Sequence, residues 1–68
     1  MKAAPLVLDK LAYSLDEFAD AVSLSKEFIR QQIAAGLLTP SYAGTKPLIM
    51  REEGERWLRS LPAERPTR

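Results

Sequence analysis

From Leu15 onward the apolar residues recur at helical spacing. Leu15, Phe18, Ala19 and Val22 fall at i, i+3, i+4 and i+7 and make one stripe, while Asp16, Glu17 and Asp20 take the opposite face. Ser14-Leu15-Asp16-Glu17 has the order of a capping box, so a helix is predicted from Leu15 to about Val22. Two turns do not persist alone, and this helix needs tertiary packing. Ser23-Leu24-Ser25 predicts a tight turn, with Leu24 as the buried residue of the corner and Ser25 as the next N-cap. A second helix is predicted from Lys26 to Ala35, ending at Gly36, whose missing Cβ suits a left-handed C′ position. Its Ile29 and Ile33 face the core, with Phe28 or Gln32 at the margin, and Lys26, Glu27, Arg30, Gln31 and Ala34 point outward.

After Leu37-Leu38-Thr39-Pro40 the helical period stops. Ser41 to Pro47 reads as a hairpin tip around Gly44, and Leu48-Ile49-Met50 as the returning strand, giving a two-stranded wing with Lys46 near its tip. Pro40 and Pro47 predict short, edge-like strands. A third helix is predicted from Arg51 to Leu61: Glu52, Glu53 and Glu55 precede Arg56 and Arg59, an order that complements the helix dipole. Trp57, Leu58 and Leu61 form its inward face, and Gly54, on that face, weakens the helix while permitting close approach of another element. Pro62 ends it. The expected organisation is an extended or frayed segment over 1–12, one domain over 13–61, and a basic disordered tail over 62–68. The fold class expected is mainly α with a small β-hairpin, a winged helix-turn-helix.

Composition narrows the chemistry. At 68 residues and 46% hydrophobic content, one small domain with a modest core is expected, with little room for a deep catalytic cleft. Without cysteine or histidine, the usual zinc sites, thiolate nucleophiles and imidazole acid–base chemistry are excluded. Paired carboxylates at Asp16-Glu17 and Glu52-Glu53 fall at helix starts, where capping and dipole effects account for them. No catalytic residue, metal site or cofactor is expected. No apolar run approaches the roughly 20 residues that span a bilayer, and the opening MKAAPLVLDK is too short and too soon charged for a signal peptide. A cytoplasmic protein is expected.

The net charge of +1 is unevenly distributed. Residues 1–25 carry two Lys against four Asp or Glu, a balance of −2; residues 26–51 carry four basic side chains against Glu27, a balance of +3; the rest cancels. Positive charge therefore gathers on the second helix and the hairpin, the sign needed to approach phosphates. There Arg30 can bind guanine as a bidentate fork, Gln31 can pair with adenine, and Lys26 and the Ser25 hydroxyl can hold phosphates. Glu27 can accept from a cytosine amine, and Phe28 is either a thymine-methyl contact or a core-margin residue. Thr45 and Lys46 can reach the minor groove or the flanking backbone. Trp57 reads as a core anchor. The competing reading throughout is an ordinary solvated helix and turn.

The segment from Leu11 to Leu61 resembles the excisionase-type, MerR-like winged-helix family of small DNA-binding domains. The resemblance is carried by LAYSLDEFADAV, by LSKEFIRQQIAAGLL with its closing Gly36 turn, by the hairpin, and by REEGERWL from Arg51 to Leu58. It departs at Gly54, where the family usually has an apolar residue, and at Phe28, where it usually has a small polar one. The resemblance implies a recognition helix from Lys26 to Ala35 in the major groove and a wing around Gly44 to Lys46 on the adjacent minor groove or backbone. A chain consisting almost wholly of this domain resembles phage recombination directionality factors. These bind direct repeats in attachment-site DNA, bend it, and steer an integrase toward excision without cutting DNA. The partners so implied are double-stranded DNA, an integrase and neighbouring copies on DNA, in the nucleoid of a bacterial host. Arg65 and Arg68 are candidate contacts for integrase or DNA. The alternatives are a small phage or plasmid repressor, or an interaction module that binds no nucleic acid.

Overall fold

A computed structural model describes residues 9–63; most of the N-terminal segment, and the tail arginines Arg65 and Arg68, lie outside the described residues. The chain forms strand β1 (Ala12–Ser14), helices α1 (Leu15–Ala21) and α2 (Lys26–Ala34), strands β2 (Ser41–Ala43) and β3 (Lys46–Met50), and helix α3 (Arg51–Ser60). The sheet is antiparallel with order β1-β3-β2. The fold is thus mixed, three helices with a three-stranded sheet, where the sequence predicted a mainly α chain with a two-stranded hairpin. The third strand carries no alternating signal in the sequence because it is three residues long and runs straight into the capping box of α1. Its central residue, Tyr13, pairs with Ile49 and is buried with it.

Both strand-to-helix junctions lack a connecting loop. Ser14 ends β1 and caps α1: its hydroxyl accepts from the Glu17 amide at 3.1 Å, and its own amide donates to Glu17 Oε1 at 3.0 Å. Met50 ends β3 and stands at the N-cap of α3 without a side-chain cap, while the Arg51 amide donates to the Leu11 carbonyl at 2.9 Å. Pairing of β1 with β3 therefore fixes the starting points of α1 and α3 together. Pro47 lies in the central strand, contrary to the edge placement expected. It precedes the Leu48–Met50 stretch that β1 pairs, so β3 has a neighbour there only on the β2 side, and an open edge remains for the missing N–H.

α1 and α2 end in the same device. After α2, the Gly36 amide donates to Ile33 O and the Leu37 amide to Gln32 O, both at 3.0 Å, with Gly36 at φ 79°: a Schellman turn. After α1, the Ser23 amide donates to Asp20 O and the Leu24 amide to Ala19 O, with Ser23 at φ 64°. A serine thus occupies the left-handed position that favours glycine. The reversal at Ser23 turns Leu24 outward, where it is exposed, and Val22 instead closes the corner against the core; the expected burial of Leu24 is corrected accordingly.

The core joins Tyr13, Phe18, Ala19, Val22, Ile29, Leu38, Ile49 and Trp57. Trp57 is fully buried, its ring centroid 5.7 Å from Phe18 and 6.4 Å from Phe28, and its indole N–H donates to Gln32 Oε1 at 3.0 Å. Gln32 and Phe28 are the margin residues the helical spacing anticipated. Gly54 is buried on the same helix, one turn before Trp57. On the rim, Glu53 accepts from the Thr39 amide at 2.9 Å and from Arg56 Nε at 2.8 Å, while Arg56 Nη2 donates to the Leu37 carbonyl at 2.9 Å. This pair fastens the α2–β2 connection to α3. The Arg56 guanidinium, with help from the Thr39 amide, holds the Glu53 carboxyl at about 2.

Two stability measurements follow. Ser23→Gly relieves the left-handed strain and should stabilise the fold by roughly 0.5–1 kcal/mol in urea unfolding followed by Trp57 fluorescence; no gain would contradict a strained C′ serine. Glu53 has a folded pKa depressed below its unfolded value of 4.5, so its contribution is complete above that value and disappears as pH falls toward about 2. Glu53→Gln should therefore flatten stability between pH 5 and 2 relative to the parent, and an unchanged acid limb would dismiss the Glu53 clamp.

Candidate nucleic-acid interface

α2 packs its Ile29 and Ile33 side inward and leaves Glu27, Arg30, Gln31 and Ala34 exposed. Lys26 begins the helix, directly after Ser25, whose hydroxyl accepts from the Phe28 amide at 3.0 Å. That acceptance leaves the Ser25 O–H free to donate outward. Lys26 and Arg30 are one turn apart, on the side of α2 that looks toward the start of β3.

There a shallow depression of about 290 Å³ separates α2 from the hairpin. Lys26 and Arg30 line it from α2, Lys46 and Pro47 from β3, and Ser14, Leu15 and Asp16 from the start of α1. Three cations against the single carboxylate leave it at +2. The two members of the hairpin turn, Gly44 and Thr45, connect the Ala43–Lys46 pair, and Gly44 at φ 66° supplies the left-handed first position of a type II′ hairpin. The turn fixes where Lys46 leaves the strand, so the hairpin cation stands beside the helix cations.

The electrostatics of the depression are set by what each cation already holds. Lys26 Nζ lies 3.0 Å from Asp16 Oδ1 in an exposed pair that ties α2 to α1. Such a pair is worth at most about 1 kcal/mol, so exchanging the carboxylate for another anion is inexpensive. Among the described residues Arg30 and Lys46 form no ion pair. The Glu17 carboxyl is held below its ordinary value chiefly by the Ser14 amide and then by Lys10, and Lys46 adds a smaller push in the same direction.

Of the residues read from the sequence, Lys26, Arg30 and Lys46 come together around this depression. Ser25 stands exposed at the end of α2 nearest α1. Glu27 and Gln31 are exposed on α2 but do not line the depression, and Thr45 is exposed at the hairpin turn. Phe28 is half-buried with its ring against Trp57, which gives it a packing partner within the fold. The sequence marks Asp16 as a solvent-facing acid at the start of α1, where it favours the helix dipole. Its pairing with Lys26 crosses the inter-helix turn, and no within-helix spacing rule signals such a contact. Pro47, expected at the hairpin tip and as a mark of a short, edge-like strand, also lines the depression.

Among the described residues no helix is long and apolar enough to cross a membrane. No protein-family model, curated protein or solved structure matches the chain.

Proposed function

We propose that the protein binds double-stranded DNA as a winged helix-turn-helix, with α2 in the major groove and the β2–β3 hairpin as a wing on the adjacent backbone or minor groove. The observation that carries this reading is the grouping of Lys26, Arg30 and Lys46 around one open, net-positive depression between an exposed helix face and a hairpin. A phosphate strand running between the two elements would meet cations from both. Gln31 and Arg30 then face bases from the exposed side of α2, and Ser25 and Lys26 hold the backbone at its first turn. The wider role, an excision factor that bends attachment-site DNA at direct repeats and directs an integrase without cutting, rests on the family resemblance of Leu11 to Leu61. On this reading the protein acts at the nucleoid of a bacterial host.

The test is selection of fragments by purified protein from a library of host and mobile-element DNA at fixed, near-physiological salt. Clustered direct repeats beside a recombination site are the expected enrichment. Inverted repeats beside a promoter would replace the excision role by that of a dimeric repressor. Enrichment no better than random DNA would overturn sequence-specific binding.

On a selected site, Arg30→Ala should cost about 1–3 kcal/mol and relax preference at one base pair. Lys46→Ala should weaken every sequence to a similar degree and reduce the slope of log affinity against log salt by about 1. A base-specific loss with Lys46→Ala would reassign Lys46 to base readout.

A further inference from the structure

Tyr42 is an aromatic side chain that the packing of the protein does not use. It sits in the middle of β2 and is 63% exposed, and its hydroxyl makes no hydrogen bond to any described residue. The register decides which way it looks. Tyr42 stands directly opposite Pro47, and paired residues of an antiparallel ladder project from the same face of the sheet. Ile49, two residues beyond Pro47 on β3, projects from that face too and is buried in the core with its own partner, Tyr13. The face that carries Tyr42 is therefore the one against which the helices pack. At the hairpin end this face runs beyond the core, which leaves Tyr42 uncovered beside its cross-strand partner Pro47, one of the residues that line the cationic depression.

We infer that Tyr42 is a backbone-gripping residue of the nucleic-acid interface: its ring packs on a deoxyribose and its hydroxyl donates to a phosphate oxygen of the strand held by Lys46 and Arg30. The inference rests on the DNA-binding reading above and extends it to a residue without charge. The neighbouring cations favour this occupant. A duplex backbone alternates an anionic phosphate with an apolar sugar, and Pro47, which Tyr42 faces across the ladder, lines the depression together with Lys46 and Arg30. Tyrosine is suited to such a surface because it offers apolar area and one donor at small cost in side-chain freedom. A contact to sugar and phosphate carries no base information, so Tyr42 strengthens binding at all sequences alike.

The chain has two tyrosines, and Tyr13 is 4% exposed, so acylation of phenols by N-acetylimidazole, mapped by peptide mass spectrometry, reports on Tyr42 with Tyr13 as the shielded internal reference. A duplex carrying the selected site should protect Tyr42 from acylation several-fold. In titrations, Tyr42→Phe should weaken binding by about threefold to tenfold through loss of the hydroxyl, and Tyr42→Ala by more. Both variants should leave the salt slope and the base preference unchanged, because no charge is removed. Their thermal unfolding should match the parent, since the side chain is exposed on an edge strand. Tight binding of the parent with Tyr42 fully reactive would overturn the contact while leaving the DNA-binding reading intact. So would a base-specific loss in either variant. Failure of the parent protein to bind any duplex would overturn both.

Discussion

The burial of Trp57 is the constraint on which the other elements depend. The helices are short, seven, nine and ten residues, and none would persist alone in water. Trp57 brings α3 against Phe18 of α1 and Phe28 of α2 and offers its indole N–H to Gln32. Removing a buried aromatic of this kind typically costs about 3–5 kcal/mol, a large share of the stability a domain of this size has. The hydrogen bond to Gln32 matters as much for uniqueness as for energy. An indole N–H buried without an acceptor is penalised, so the single acceptor on α2 selects one rotation of that helix against α3. Once that rotation is set, Lys26 and Arg30 have only one direction in which to point.

The sheet performs the complementary task. The short ladder from β1 to β3 links the beginning of the domain to its hairpin, and each of those two strands passes without a loop into a helix. The N-terminus of α1, the hairpin and the start of α3 are thereby registered to one another through backbone hydrogen bonds. Asp16, one residue into α1, then meets Lys26 at the beginning of α2. The cationic depression is a product of this registration: its walls come from different elements, and its charge arises only where two helices and a strand converge.

Much of this was legible in the sequence, and the misses share a physical cause. The three helices, both serine N-caps and the glycine closing α2 followed from periodicity and capping chemistry, which act within a few residues. The hairpin and the exposure of Arg30 followed as well. What did not follow was pairing across distance. β1 is a single buried tyrosine flanked by half-buried neighbours, too short for alternation to register, and it exists because β3 offers Ile49 as its partner. Pro47 is tolerated in the central strand because β1 stops short of it, a long-range arrangement with no local sequence signal. Leu24 was assigned to the core by hydrophobicity, whereas the backbone hydrogen bonds at Ser23 decide its direction. Of the candidate site, the identity of the cations was readable, but neither their convergence nor the carboxylate beside them was.

The contrast between Lys26 and Arg30 illustrates how a small domain can keep a charged surface without endangering its fold. Lys26 is neutralised by Asp16 and so contributes to holding α2 on α1 when no other anion is near. Arg30, one turn on, and Lys46, across the depression, form no ion pair among the described residues, so their field reaches solvent. An approaching polyanion would be drawn first by the latter two and would then compete with Asp16 for Lys26. That exchange replaces one exposed ion pair by another at little net cost, while the core-facing Ile29 and Ile33 of α2 stay packed. The packed side chains and the exchangeable charges of this nine-residue helix are therefore separate sets of residues. The fold tolerates changes in the exposed row of α2 far better than changes in the residues that surround Trp57.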